Sequence, residues 1–241
     1  LANSSGQIGK NLMLHPLGFV EGKFNKYIAS QRGPEGCCLY SHQFYDTKKD
    51  NNFVRGYTIQ VLRGQGPIDV ALNEKKFRNL NFGKNFHKSF FDNYGRSIPM
   101  TVICEDLPDK NNYLELDKKN KDNTGMFGIK LHYKLSDNSK KMLVHGIKNC
   151  TKVLKNAGAI RVRSFGPVRD TGWHIMGTAK MGIDPKKSVV NKFGQSHDVK
   201  NLFIVDSSVF TTSAGVNPLQ TIMALSLRTT DYIKKNISKL C

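Results

Sequence analysis

The chain has 241 residues, 39% hydrophobic and 23% charged, which is typical of a globular protein with one large or two small domains. Because no stretch approaches the roughly 18 uninterrupted apolar residues that a membrane-spanning helix needs, we predict no membrane span. The net charge of +18 comes from lysines scattered in pairs among polar loop residues, which predicts a solvated surface and no nucleic-acid partner; an acidic partner or an anionic substrate is the alternative.

The chain begins with a connecting loop, because residues 1–16 are rich in glycine and polar side chains. From residue 17 onward, short strands and loops alternate. Strands are predicted at 53–62 and 98–105, and Pro99 places the second at a sheet edge because proline cannot donate to a ladder. A further strand at 113–116 is predicted to pair with 98–105 as a hairpin.

A strand at 130–134 precedes a helix that Ser136 caps and Gly158 ends, with apolar residues recurring between them. A strand at 160–163 follows. Strands, then a helix, then a strand, without regular β-α-β repeats, predict an α+β fold. Its largely antiparallel sheet should be covered by helices.

The last part of the chain, from residue 166, carries the most informative pattern. Residues 172–182 read GWHIMGTAKMG, residues 201–210 read NLFIVDSSVF, and residues 213–233 read SAGVNPLQTIMALSLRTTDYI. The apolar run at 202–205 predicts a strand, and a helix is predicted from near Pro218 almost to the C-terminus.

Two residues of this part are candidates for chemistry, because His174 and Asn217 each lie in a turn, where a rigid scaffold presents reactive groups. A histidine can take the proton of a hydroxyl group near neutral pH, since its unperturbed pKa is ~6.5. The partly apolar neighbours of His174 favour the neutral base. The amide of Asn217 can donate to and accept from the same hydroxyl oxygen and so orient it.

The five cysteines show no metal-binding spacing: Cys37 and Cys38 are adjacent, and no C-x-x-C occurs. We therefore predict no metal site. Free thiols are compatible with a reducing compartment without proving it.

These strings resemble the C-terminal signature of the glucose–methanol–choline (GMC) flavoprotein oxidoreductases. The matching elements are H-x-x-G-T-x-x-M-G from His174, V-D-x-S from Val205, and G-V-N-P followed by T-I-x-A-L from Gly215. The segment SGQIGKNLMLHP, residues 5–16, is similar to the family's crossing out of the flavin domain.

The resemblance implies a domain organisation. Residues 1–16 would end a portion of an α/β FAD-binding domain, residues 17–165 would form an α+β substrate-binding domain, and residues 166–241 would return to the FAD-binding domain.

The resemblance also implies roles for single residues, with FAD as the cofactor. His174 matches the family's catalytic histidine, and Asn217 matches a position that holds asparagine or a second histidine. The implied FAD-binding residues are Asn11, Asp206, Ser207, Val216, Asn217, Pro218 and Thr221.

The family's G-x-G-x-x-G fingerprint, where the backbone approaches the flavin pyrophosphate, does not occur in this sequence. We therefore expect the chain to be the C-terminal part of a longer FAD-dependent oxidoreductase, completed by a missing N-terminal FAD-binding segment. A small alcohol, polyol or sugar is the expected substrate, and a dehydrogenase of the gluconate or sugar branch is favoured over an oxidase. The electron acceptor and the compartment, cytoplasmic or periplasmic, stay open.

The alternative is a non-catalytic basic α+β binding module that has lost its flavin. A serine hydrolase is disfavoured, because no G-x-S-x-G elbow surrounds the serines near residue 207.

Overall fold

The computed structural model describes residues 2–34, 36–72, 83–168 and 173–240. The chain divides into two compact units. The terminal unit comprises Leu1–His15, Glu105–Ser136 and Gly172–Cys241, and the sheet unit comprises Pro16–Cys104 and Asp137–Thr171. The predicted boundaries after residues 16 and 165 concern which parts bind FAD and substrate, and they stay predictions.

In chain order the strands are β1 Leu17–Lys23, β2 Cys37–Ser41, β3 Tyr57–Leu62, β4 Ser97–Cys104, β5 Tyr113–Lys121, β6 Phe127–His132 and β7 Arg161–Phe165. The helices are α1 Pro67–Leu72, α2 Phe86–Phe91, α3 Asp137–Asn156 and α4 Leu219–Leu240, with a 3-10 turn at Ser207–Val209.

The sheet unit is built on five antiparallel strands in the order β2-β3-β4-β1-β7. Helix α3 packs on this sheet through one face, because its buried residues recur at helical spacing. These residues are Ser139, Met142, Leu143, Gly146, Cys150 and Leu154. Gly146 permits close packing, since a β-carbon there would lie 2.4 Å from Val102 of β4. The predicted α+β fold with a largely antiparallel sheet is confirmed.

The position of β4 corrects two predictions. Pro99 does not mark an edge strand, because β4 lies between β3 and β1. The pairing with β3 begins at Met100, so the missing N–H of Pro99 removes no bond from that ladder. The predicted hairpin of 98–105 with 113–116 is also wrong, because β5 pairs with β6.

The terminal unit contains the β5–β6 hairpin, helix α4 and loops joined by single bridges. One buried hydrophobic cluster of this unit consists of Ala179, Val189, Val190 and Val209. The predicted strand at 202–205 is wrong, because only Phe203 forms a bridge there, with Gln195. Ile204 from this run packs against the core, which accounts for its apolar character without a ladder.

Candidate active site

Two motif segments of the terminal unit meet through backbone hydrogen bonds beside His174. Met13 and Met176 pair through two hydrogen bonds of 3.0 Å, and the amide of Gly9 donates to the carbonyl of Thr178 at 2.8 Å. The first motif of the chain therefore runs along the string that follows His174.

Alternate residues of the same string bind the short 3-10 turn. The amide of Gly177 donates to the carbonyl of Ser207 at 3.2 Å, and the amide of Ala179 donates to that of Ser208 at 2.8 Å. The carboxylate of Asp206 accepts from the amide of Ser208 at 2.8 Å and so caps the turn. Three motifs that are far apart in sequence are thus adjacent in space.

Gly177 is a point of close approach between two of these motifs. Its φ is 92°, and a β-carbon on it would lie 2.2 Å from the carbonyl oxygen of Asn11. Asn11 and His174 both have a φ of 60°. Positive φ is uncommon outside glycine, although asparagine and histidine enter this region more readily than most residues. Two predicted site residues therefore occupy conformations that cost of order 1 kcal/mol each.

The half-buried ring of His174 contacts His15, the histidine of the first motif. Their Nδ1 atoms are 2.8 Å apart, and the rings meet edge to face with centroids separated by 4.8 Å. A hydrogen bond between two neutral imidazoles requires one N–H and one lone pair, so one Nδ1 atom carries the shared proton. The Nε2 atom of His174 lies outside this bond.

Both histidines have pKa values below the usual value for histidine. Burial lowers the pKa of His174. The pKa of His15 is lowered to about 4, first because burial penalises the charged ring and then because a charged His174 would repel it. The backbone of Ala214 acts on the pKa of His15 in the opposite direction. The pair is therefore neutral at pH values where an exposed histidine is partly charged.

Asp106, which is 1% exposed, holds together the segments around His15. Its carboxylate accepts hydrogen bonds from the amide of Leu14 at 3.1 Å and from the hydroxyl of Tyr133 at 2.8 Å. Its backbone amide donates to Oγ of Ser213 at 2.7 Å, and that hydroxyl donates to the carbonyl of Asp106 at 2.8 Å. These bonds fix the residue before His15 and the start of the loop that follows Ser213.

Asn217 is an exposed residue of that loop, three positions after Ala214, whose backbone interacts with the ring of His15. The loop is thus connected to the histidine pair through His15, while a direct approach of Asn217 to His174 stays a prediction. Among the other predicted FAD-binding residues, Asn11, Ser207 and Val216 are half-buried, Pro218 is buried, and Asp206 and Thr221 are exposed.

Helix α4 begins at Leu219, close to its predicted start. The first amides of an α-helix have no acceptor within the helix, and the first turn of α4 contains no acidic residue. The hydroxyl of Ser226 donates to the carbonyl of Val205 at 2.7 Å and so joins the helix to the segment before Asp206. The positive end of α4 is therefore suited to an anionic group.

Three residues around this site have no role predicted from the sequence. His15 lies in the first motif of the chain. Asp106 follows the buried strand β4 closely, and polar groups at strand ends are a usual source of binding sites, which is the signal that could identify it. Nothing in the sequence marks Tyr133.

Among the residues that the structure describes, no group of three histidine, cysteine, aspartate or glutamate side chains is placed to hold a metal ion. Within the same ranges, no helix is both long and apolar enough to cross a bilayer.

Residues 108–226 match the family model described as GMC oxidoreductase. The chain is 35% identical over 242 residues to 2-methyl-1,2-propanediol dehydrogenase of Mycolicibacterium austroafricanum, covering 100% of this chain and 44% of that protein. It is 29% identical over 251 residues to the gluconate 2-dehydrogenase flavoprotein of Pantoea cypripedii, covering 98% and 40%. It is 25% identical over 240 residues to the fructose dehydrogenase large subunit of Gluconobacter japonicus, covering 99% and 43%. The chain spans less than half the length of these relatives.

Solved structures share the fold. A crystal structure of formate oxidase matches with a TM-score of 0.62 at 14% identity, over 98% of this chain and 48% of that one. Pyridoxine 4-oxidase from Mesorbium loti matches with a TM-score of 0.61 at 12% identity, over 95% and 44%.

Proposed function

Because this chain belongs to the GMC oxidoreductase family, we propose that it supplies the general base of an FAD-dependent enzyme that oxidises CH–OH groups. One observation carries the proposal. His174 begins the matched string, burial lowers its pKa, and its Nδ1 is engaged with His15 while Nε2 stays outside that bond.

The reaction removes a proton from the hydroxyl oxygen and a hydride from the carbon, which leaves a carbonyl product. FAD, when bound, accepts the hydride. Nε2 of His174 accepts the proton, so that the O–H bond breaks and an N–H bond forms. Burial supports this role because it keeps the imidazole neutral, and only the neutral ring has a lone pair to offer.

Asn217 holds the substrate oxygen in this proposal. Its amide N–H donates to that oxygen, and the bond strengthens as negative charge develops there during proton removal. The Ser213–Asp106 hydrogen bonds and the interaction of Ala214 with His15 support the placement, since they hold the loop that carries Asn217 against the histidine pair.

We propose that several residues near His174 would hold a bound flavin. The N-terminal amides of α4 would face the negative charge that a reduced flavin carries. Val216 and Pro218 precede these amides, and Thr221 lies in the first turn of the helix. Asn11 and the turn at Asp206 and Ser207 lie on neighbouring segments beside His174, where they would contact the rest of the cofactor.

We propose that a further, FAD-binding portion completes the enzyme, since the chain spans less than half the length of these relatives. An apolar stripe on α4 supports such a portion, because Leu219, Met223 and Leu227 recur every four residues and are each more than half exposed. The relatives favour a dehydrogenase acting on a small alcohol, polyol or sugar, with an electron acceptor still to be identified.

Replacing the base in the complete FAD-loaded protein tests the proposal. His174→Ala should slow anaerobic reduction of the flavin by an alcohol or polyol about 100- to 10,000-fold, the usual contribution of a general base. Bound flavin should keep its absorbance, because His174 acts on the substrate and not on cofactor retention.

His197→Ala is the matched control. His197 is also half-buried in the terminal unit, and one ring nitrogen contacts Oγ of Ser188 at 3.0 Å. This variant should reduce its flavin at the unchanged rate. An equal rate in the His174 variant would instead show that the base lies elsewhere, whereas a complete protein that binds no flavin would favour the non-catalytic binding module.

A further inference from the structure

The ring of His15 has no part in the reaction proposed above, yet it is 3% exposed and directly hydrogen-bonded to the base. A buried polar ring in such a place needs partners for both of its nitrogens. The protonation of those two nitrogens decides which tautomer His174 adopts.

The first nitrogen of His15, Nδ1, contacts Nδ1 of His174 at 2.8 Å. The second, Nε2, is buried and makes no hydrogen bond of ordinary geometry within the described ranges. The backbone of Ala214 also acts on this ring and favours the protonated form of His15. Because Nδ1 faces His174, we assign the contact with Ala214 to Nε2. A carbonyl oxygen near an imidazole N–H has this effect, because it can accept a hydrogen bond but cannot donate one.

A proton on Nε2 of His15 leaves a lone pair on Nδ1 of the neutral ring. Nδ1 of His174 must then donate the shared proton. With its proton on Nδ1, neutral His174 carries a lone pair on Nε2, the nitrogen outside the pair. The opposite arrangement would place an N–H on Nε2 of His174, which cannot take a proton from a substrate.

We propose that His15 is a positioning residue that fixes the tautomer of His174, with the proton on Nδ1 and the lone pair on Nε2. In this arrangement, the carbonyl of Ala214 determines which nitrogen of His15 is protonated, and His15 then determines which nitrogen of His174 is protonated. The backbone of the loop before Asn217 thereby determines which form of His174 faces the substrate. This inference rests on the proposed function only for its catalytic consequence; the tautomer itself is a property of the 241-residue chain.

Nitrogen-15 NMR of the chain, labelled at its histidine rings, tests the tautomer directly, because protonated and unprotonated ring nitrogens have different shifts and couplings. His174 should show its proton on Nδ1 and His15 on Nε2, each signal assigned by its loss in a His→Gln variant. A proton on Nε2 of His174 in the unchanged chain would overturn the proposal.

Two variants separate positioning from packing. His15→Asn places an amide oxygen where Nδ1 was, so it can still accept from His174 and should keep the Nδ1–H tautomer. His15→Leu offers no acceptor and should release His174 to the Nε2–H form that free histidine prefers. An unchanged tautomer in His15→Leu would also overturn the proposal, and His197→Leu should leave the His174 signals as they are. If His15→Leu does not fold, the unchanged chain and His15→Asn still decide.

In the complete FAD-loaded protein, His15→Leu should slow flavin reduction about 10- to 100-fold, less than His174→Ala, because a free imidazole still samples the reactive tautomer. His15→Asn should recover most of the rate. If His174 has the expected tautomer but His174→Ala leaves the rate of flavin reduction unchanged, only the proposed function is refuted. The opposite tautomer together with a severe His174→Ala defect would refute the positioning role alone.

Discussion

The buried histidine pair should make the folded chain sensitive to acid, and replacing His15 by asparagine should remove much of that sensitivity. The pKa of His15 is about 4 in the folded chain, whereas an unfolded histidine titrates at ~6.5. The folded state therefore binds fewer protons than the unfolded state between these values. Stability is present above pH ~6.5, decreases as the pH falls through this window, and is lowest below pH ~4.

The size of the effect follows from the two pKa values. At about pH 4.5 the unfolded ring is almost fully protonated and the folded ring is protonated in about a quarter of molecules, which lowers the free energy of unfolding by about 2.5 kcal/mol relative to about pH 7.5. Burial of His15, 3% exposed, is the main cause, so solvent screening removes little of this figure.

Urea unfolding at these two pH values, for the unchanged chain and for His15→Asn, measures the effect. The unchanged chain should lose about 2–3 kcal/mol more stability on acidification than the variant. His42→Asn is the control, because His42 is an exposed residue of the sheet unit. Equal acid-induced losses in the unchanged chain and His15→Asn would mean that His15 is not held neutral by burial, and the reasoning would fail.

Three further changes test the packing and chemistry around His174. Gly177→Ala should lower the free energy of unfolding, measured in urea, by at least about 2 kcal/mol, because the new methyl group meets the carbonyl of residue 11. Gly125→Ala is the control: Gly125 has nearly the same φ, 87°, but open space around it, so this change should lower the free energy of unfolding by about 1 kcal/mol. Asp106→Ala should lower the free energy of unfolding by about 2–4 kcal/mol, because two half-buried donors lose their acceptor, and Tyr133→Phe should lower it by about half as much. Equal effects would mean that the amide of residue 14 finds another acceptor. In the FAD-loaded protein, Asn217→Ala should slow flavin reduction about 10- to 100-fold, and Asn217→His should retain more activity; an undiminished rate in Asn217→Ala would remove this residue from the proposed site.

The sequence predicts this protein best where side-chain periodicity or a motif reports a local requirement. Helix α3 runs over Asp137–Asn156, as the apolar spacing between Ser136 and Gly158 predicts. Strand partners were harder to predict, because pairing depends on segments far away. Pro99 predicts an edge strand, but β4 lies inside the sheet, and its pairing with β3 begins one residue later, at Met100.

The candidate site likewise contains residues that a local motif predicts and residues that depend on long-range contacts. His174 is recognisable because it stands in a dense string of glycines and small residues. The contact with His15 joins residues 159 positions apart, and no local pattern encodes it. Asp106 is similar: it has hydrogen bonds to Leu14, Tyr133 and Ser213, so its importance becomes visible only once the chain is folded.

The chain contains one tryptophan, Trp173, which immediately precedes His174 and is 60% exposed. Its indole therefore reports on the surroundings of the imidazole without any attached label. A molecule that settles over this region will exclude water from the indole and shift its emission to the blue, while a nearby isoalloxazine will quench that emission. Titrating intrinsic fluorescence can thus follow occupancy in the unaltered polypeptide.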